Sequence, residues 1–500
     1  MGGRLRPQDP PDRVEVRTQI QLQKPQINVS QVAGKKLRGS DDSRTQSTQR
    51  AKSDSLDRYI LADMKARHIP AVVLGVFKDG QILRTGAYGF SNLELGVRAT
   101  AETVFEIGSV TKQFTATLIL KLMEEGKLSL DEPIGRFVDA LPDEWREIKL
   151  RNLLNNTSGI PDIEDIFGYD SYRNQYTEEQ ILKVASSRPV EFAPGAKFHY
   201  SNTNYYLLAI AIQTVEHKAY SQSLQDRIFG PLGMTQTRES DPWAVIPNRA
   251  SGYMFTDKGE IVNRDAMQPS ACLGAGTIIS TVGDMAKWDA AINRHTILSR
   301  ESQNMMWTAT ELQDGSRVEY GFGWFISPWH GYPSVEHSGG TAGFSCDYRR
   351  FTDPGISAIV FSNLYGTNVG NYQIRAVDTI QPGISYLASP SIPEGDAAVR
   401  TRLLAAMKDV ASGFTTSTYF SPKMMGRYNA ASRADWKSRL REMVQFELVA
   451  HEKYAPKTSD TGEIVTETYI YRLTMRKTTL IITFKLTPDG KVGFQTRSDY

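Results

Sequence analysis

Three short clusters hold residue types that can do nucleophilic chemistry. Ser109 and Lys112 stand three apart in Gly108-Ser109-Val110-Thr111-Lys112, the one Ser-x-x-Lys in the chain. A serine hydroxyl is a weak nucleophile until a nearby base or cation lowers the cost of its alkoxide. Tyr200 and Asn202 stand two apart in His199-Tyr200-Ser201-Asn202, pairing a phenol that can move protons with an amide that can orient a substrate. His337-Ser338-Gly339-Gly340 is glycine-rich beside a strand-like segment, so its backbone N–H groups could reach a developing oxyanion. Each cluster also has a plain structural reading: an N-cap serine with a solvated lysine, a packed tyrosine before a capping asparagine, and a turn. A rival Tyr172-Arg173-Asn174 lies in a polar, charge-rich stretch that reads as a surface insertion, which favours Tyr200.

Elements must hold these clusters in place. Phe114, Leu118, Ile119, Leu122 and Met123 form an apolar helical stripe ending at Gly126, so Ser109 falls at or just inside a helix start with Lys112 one turn on. Tyr205 to about Val215 is a second apolar helix, immediately after Asn202. Upstream, Leu56, Tyr59, Ile60 and Met64 predict a helix over 56–67. Ala71 to Phe77 then reads as a strand, Asp79-Gly80 as a hairpin turn, and Gln81 to Tyr88 as the return strand. With strands near 320–362, including Ser357 to Asn363, the pattern predicts a mixed α/β (α+β) domain whose sheet is mostly antiparallel, with helices packed on it. Residues 388–396 read as a linker. Helical patterns over 397–411 and 421–443 and strands over Thr466–Arg476 and Thr478–Leu486 follow, with Pro488-Asp489-Gly490 as a turn. The division expected is a tail over 1–52, a principal domain over 53–388 and a small α+β domain over 389–500.

The composition narrows the function. The 500 residues carry 58 Lys and Arg against 56 Asp and Glu, a net charge of +2 that argues against a nucleic-acid binder. No apolar run approaches the roughly 18–20 residues of a membrane-spanning helix. Residues 1–52 are rich in Gln, Ser, Pro and basic residues and poor in large apolar ones, which predicts a disordered tail. They also lack the apolar core of a secretory signal, so the expected location is extracytoplasmic if a leader was removed and cytoplasmic otherwise. Cys272 and Cys346 fit one bridge or two free thiols. The oligomeric state is unassigned.

The order Ser109-x-x-Lys112, Tyr200-x-Asn202, His337-Ser338-Gly339 resembles the serine β-lactamase and penicillin-binding-protein superfamily. The likeness is to its class C-like branch of class C β-lactamases, D-alanyl-D-alanine carboxypeptidases, D-aminopeptidases and family VIII esterases. The segments 126–134, 153–160, 230–234 and 274–281 are similar as well, so the likeness covers about 55–385. It implies a β-lactamase/transpeptidase-like fold, an antiparallel sheet flanked by helices plus an all-helical subdomain. It also implies a Ser109 acyl-enzyme formed on an ester or amide carbonyl. In that scheme Tyr200, its phenol tuned by Lys112, takes the serine proton and returns one to the leaving group. The N–H groups of Ser109 and Gly340 bind the oxyanion, His337, Ser338 and Gly339 line the substrate, and Asn202 holds a substrate amide or Lys112. No metal or cofactor enters. The substrate implied is a small ester, a β-lactam or a D-amino-acid peptide, and the alternative is a catalytically silent scaffold or ligand sensor.

Two departures stand out. Asn156 replaces the branch's usual histidine, which is expected to affect loop packing. His337 replaces the lysine of Lys-Thr-Gly, which removes a fixed positive charge unless Arg349 or Arg350 reaches in. This shifts the expected substrate from β-lactams toward esters and peptides.

Overall fold

The computed structural model describes residues 54–499 apart from 140, 169–171, 173, 265–266, 330, 388, 415–416, 460–462 and 477. The expected tail over 1–52 lies outside the described residues.

The first helix, α1 (Ser55–Arg67), starts where the sequence supplies a capping box: Asp54 accepts from Asp57 N, and the Asp57 side chain accepts in return from Asp54 N. Strands β1 (Ala71–Lys78) and β2 (Gln81–Asn92) form a hairpin whose two turn residues, Asp79 and Gly80, both have positive φ, 53° and 78°. That is the backbone sign a two-residue hairpin demands, and Asp-Gly supplies it cheaply. With β3 (Val97–Arg98), β4 (Phe325–Ile326), β5 (Ser334–Thr341), β6 (Phe344–Phe351) and β7 (Ile356–Ser362) they build a seven-stranded antiparallel sheet in the order β4-β5-β6-β7-β1-β2-β3.

Both faces of this sheet are covered, which explains why β1 is apolar throughout rather than alternating. Ala71, Val73 and Phe77 join the larger core with helices α2 (Thr111–Glu124), α3 (Asn202–Glu216) and α4 (Val282–Arg294). Val72, Leu74 and Val76 point the other way, into a core with α1 and α5 (Gly370–Asp378). Helix α2 has apolar neighbours on every side and is buried over almost its whole length, Lys112 included. Short helices between 143 and 185 pack with α2 and α3 on the first core.

After the segment 388–396 come α6 (Ala397–Ser412) and α7 (Ala430–Glu442). They are followed by an antiparallel meander β8 (Met443–Thr458), β9 (Ile464–Met475), β10 (Thr479–Leu486) and β11 (Val492–Asp499). Val399, Leu403, Met407 and Val410 of α6 pack on Tyr471, Leu473, Ile482 and Phe484 in a core of their own. The helix expected over 421–443 is two pieces, Pro422–Met425 and α7, because the Asn429 side chain caps Ser432 N and restarts the helix there. Arg472 ties the preceding segment to this sheet: it donates to the carbonyls of Leu387 and Ser389 and pairs with Glu447 at 2.9 Å. Among the described residues no helix is long and apolar enough to cross a membrane.

Candidate active site

Ser109 sits on a single 3₁₀ turn, Gly108–Val110, that runs directly into α2. Two glycines let strand β5 lie against this turn. A Cβ on Gly108, whose φ is 52°, would stand 2.7 Å from Gly340 N. A Cβ on Gly339 would stand 2.0 Å from the Ile107 carbonyl and 3.1 Å from Ser109 N. No side chain fits in that space, so Gly108 on the turn and Gly339 on β5 together let the strand's backbone lie beside the serine. Ser109 and Gly340 both line one cavity of about 280 Å³, together with Tyr200, Asn202, His337 and Ser338. The cavity thus gathers the three sequence clusters; Gly339 is buried behind it, on the contact just described.

Lys112 lies behind the serine, fully buried. Its Nζ donates to Ser109 Oγ at 3.1 Å, Asn202 Oδ1 at 2.8 Å and the Ala275 carbonyl at 2.9 Å, which uses all three ammonium donors. The same nitrogen stands 4.7 Å from the Tyr200 ring centre and 5.4 Å from that of Tyr205. Burial lowers the lysine pKa to about 8, opposed by the charges of Cys272, Asp162 and Glu164.

Tyr200 and Asn202 are fixed by the start of α3. Asn202 N donates to Asp162 Oδ1 at 3.1 Å, and its Nδ2 donates to Glu164 Oε2 at 2.9 Å and Asp162 Oδ2 at 3.2 Å. Asn156, the departure from the branch's histidine, is fully buried; its Oδ1 accepts from Ser201 N at 3.2 Å and Asn204 Nδ2 at 2.9 Å. It holds the loop that carries Tyr200 without facing the cavity. The Tyr200 ring rests among Tyr320, Phe325 and His337 at centroid distances of 5.9–6.3 Å. Burial raises its phenol pKa well above the ordinary value, Ser109 acting in the opposite direction. Its hydroxyl is buried on the Ser109 side of the ring.

His337 is also buried. Nδ1–H donates to the Ser338 carbonyl at 2.6 Å, and Nε2 faces the Tyr320 hydroxyl at 3.5 Å. Burial, with the Lys112 charge adding to it, pushes its pKa down to about 3, so the ring is neutral at every physiological pH. Neither arginine makes up the missing charge. Arg349 pairs with Glu336 at 3.2 Å, and Arg350 is buried against Asp289 at 2.9 Å and donates to Asn293 and Ser357. Neither lines the cavity.

One expectation is corrected. Tyr172 is not part of a surface insertion: it is 4 % exposed, lines the cavity, and donates to Glu164 Oε2 at 2.7 Å. Asn174, its partner in the rival motif, instead donates to the Tyr176 hydroxyl at 3.2 Å on the exposed side. Asp162, Glu164, Met267, Cys272, Phe325 and Thr341 had no motif to announce them, although Asp162 and Glu164 directly follow the 153–160 segment. The two thiols, Cys272 and Cys346, are both free and buried.

This is a β-lactamase/transpeptidase-like fold with a serine and a buried lysine at the mouth of its helical region. A profile of the family described as Beta-lactamase matches residues 56–379, and the chain belongs to that family. It is 30 % identical over 310 residues to Penicillin-binding protein 4* of Bacillus subtilis, covering 57 % of this chain and 66 % of that protein's length, under two thirds. The D-amino acid amidase of Ochrobactrum anthropi matches with a TM-score of 0.58 at 26 % identity, covering 66 % of this chain and 100 % of that one. The octameric penicillin-binding protein homologue from Pyrococcus abyssi shares the fold over 89 % of this chain and 95 % of its own, at 24 % identity and a TM-score of 0.58.

Proposed function

We propose that the protein is a serine hydrolase that opens ester or amide carbonyls through an acyl-enzyme on Ser109. The observation that carries this reading is the Lys112–Ser109 contact of 3.1 Å inside a buried site. A neutral lysine amine has two N–H donors and one lone pair. Asn202 Oδ1 and the Ala275 carbonyl can only accept, so they keep the two N–H groups. Ser109 is then the one neighbour able to donate into the lone pair. Loss of one proton from Lys112 therefore turns the serine hydroxyl toward the amine, which makes Lys112 the base that geometry favours for acylation. With a pKa raised by burial, Tyr200 is unsuited to take that proton first; it suits a relay in which it gives its own proton to the leaving group as it takes one from the Lys112 ammonium, so that the phenol stays neutral and Lys112 returns to the amine. The carbonyl oxygen would gather negative charge against the N–H groups of Ser109 and Gly340, and water would then release the acyl group.

The preferred substrates are esters and amides without a carboxylate beside the reacting carbonyl. A neutral His337 and two arginines committed elsewhere support this, since nothing cationic in the lining answers a substrate anion. Similarity to the D-amino acid amidase supports amides as well as esters. An active-site fluorophosphonate probe tests the reading: it labels wild-type protein and not Ser109→Ala. Equal labelling of both, or of neither, refutes it.

A further inference from the structure

A second concavity, of about 550 Å³, has no part in the chemistry described above and adjoins the catalytic cavity. Three segments serve both. Met267 and Cys272 line the catalytic cavity, and Gln268, Pro269 and Ser270 between them line this groove. Tyr172 faces the cavity and Gln175 the groove. Gly276 lines the cavity, and the hydroxyl of Thr277 beside it donates to Glu239 of the groove at 3.3 Å. Gln268 N donates to the Tyr172 carbonyl at 2.8 Å and Tyr176 N to Ser270 Oγ at 3.0 Å, which ties the first two segments together. The rim carries Trp243, 82 % exposed and the one exposed indole among the seven tryptophans. An apolar ring left in water is a cost that a stacked ligand removes. The loop that presents it is held in place: Trp243 N donates to Asp241 Oδ1 at 2.8 Å, and Arg249 donates to the Asp241 carbonyl at 2.8 Å and to Ser240 Oγ at 3.0 Å. Around the indole stand groups that mix donors and acceptors. Gln175 and Gln268 bring amides, and Ser221 and Ser270 bring hydroxyls. Burial pushes the Glu239 pKa up to about 7, against the hydrogen bonds of Thr277 and Ser221, so near neutral pH its carboxyl can donate as well as accept. Arg238 and Asp241 add one charge of each sign.

We propose that this groove binds a saccharide and, resting on the hydrolase reading above, that the ester or amide opened at Ser109 is carried on one. A pyranose ring presents what the groove answers: a C–H face to lie on one indole, and a rim of hydroxyls, each donor and acceptor at once, to meet amides, hydroxyls and carboxyls. An aliphatic or purely aromatic ligand leaves the polar lining unpaired, and a charged one meets its own sign in Arg238 or Asp241. Because the segment 267–272 lines both concavities, a sugar stacked on Trp243 lies one wall away from the Ser109 cavity.

The test titrates cellotriose, xylotriose and triacetylchitotriose into Ser109→Ala protein, which cannot turn over, and follows tryptophan emission and heat. At least one trisaccharide binds and shifts the emission of the exposed indole to the blue. Adding Trp243→Ala, a change at an exposed position outside every core, weakens that binding about 10-fold, the range of an aromatic stacking contact; Trp243→Phe regains part, and Gln268→Ala weakens it as well. With Ser109 restored, kcat/KM for the mono-O-acetylated form of the bound trisaccharide exceeds that for ethyl acetate, and Trp243→Ala lowers this ratio by a similar factor. The saccharide site is overturned by no binding at concentrations up to about 10 mM, by binding that Trp243→Ala leaves unchanged, or by tetramethylammonium binding at Trp243 in place of all three sugars. A ratio that Trp243→Ala does not move overturns the sugar as part of the substrate. Absence of Ser109-dependent turnover of every ester overturns the hydrolase reading, and the titration of Ser109→Ala still decides the saccharide site.

Discussion

The rate at which Ser109 is acylated should rise with pH through a midpoint near 8. Lys112 has to be neutral to accept the serine proton, and burial holds its pKa at about 8 instead of the ordinary lysine value. The sign follows from the charge: burial disfavours the ammonium, so the active amine grows in as pH climbs past 8. About one tenth of the enzyme is then competent at pH 7 and about one hundredth at pH 6, a slope of roughly one decade per unit below the midpoint. The groups facing Lys112 sharpen the expectation. Cys272 lies at about 12 and His337 at about 3, so neither titrates inside the window. Asp162, raised to about 6 by burial, and Glu164 both raise the lysine pKa through their charge. Asp162→Asn should accordingly move the midpoint to lower pH. Stopped-flow bursts of p-nitrophenyl acetate and second-order labelling by a fluorophosphonate, each from pH 5.5 to 9.5, measure the acylation step directly. A rate that is flat across this range, or that peaks near pH 6, refutes Lys112 as the base. A midpoint that rises in Asp162→Asn refutes the electrostatic account.

Other outcomes follow from single contacts. Gly339→Ala places a methyl 2.0 Å from the Ile107 carbonyl, so β5 must leave the Ser109 turn; kcat should drop about 10²- to 10³-fold, as for loss of an oxyanion donor, read by ester hydrolysis. Tyr200→Phe removes the phenol proposed to protonate the leaving group and should lower kcat by on the order of 10²–10⁴, with Ser109→Ala as the floor. Tyr172→Phe strips Glu164 of one of its two hydrogen-bond donors at the cavity wall and should act mainly on KM, with kcat little changed, measured by initial rates of ester hydrolysis. Asp289→Ala leaves Arg350 buried without its carboxylate at a cost of about 3–5 kcal/mol, seen as a lower Tm by calorimetry.

The sheet and its helices were readable because their residues follow simple periods. The α2 stripe, the Asp79-Gly80 turn and the apolar run of β1 each have one local solution that burial rewards. The 421–443 helix was misread because its break depends on Asn429 finding Ser432 N, a capping choice that apolar spacing does not register. At the site, Ser109, Lys112, Tyr200 and Asn202 stand out as motifs; Ser109, Tyr200 and Asn202 line the cavity, and Lys112 lies behind them, hydrogen-bonded to Ser109 and Asn202. Their acid–base roles were not visible in the same way. Burial of Lys112 and Tyr200 by distant residues such as Tyr205, Tyr320 and Phe325 shifts one pKa down and the other up, and no spacing rule carries that information.

The same distinction decides the polarity of the site. A sequence reading that starts from the absent lysine at position 337 asks which arginine replaces it, and Arg349 and Arg350 are the nearest in the chain. Strand pairing gives another answer: Arg349 lies across from Glu336 in register, and Arg350 is drawn to Asp289 on α4. Once those two cations are committed, the sign of the cavity is set by the loop after 160, where Asp162 and Glu164 come in under Asn202. Tyr172, dismissed by local composition, is what closes that loop onto the cavity. The departure at His337 is therefore not made good by the neighbouring arginines, and among the described residues the cavity lining holds no Lys or Arg to answer a substrate anion.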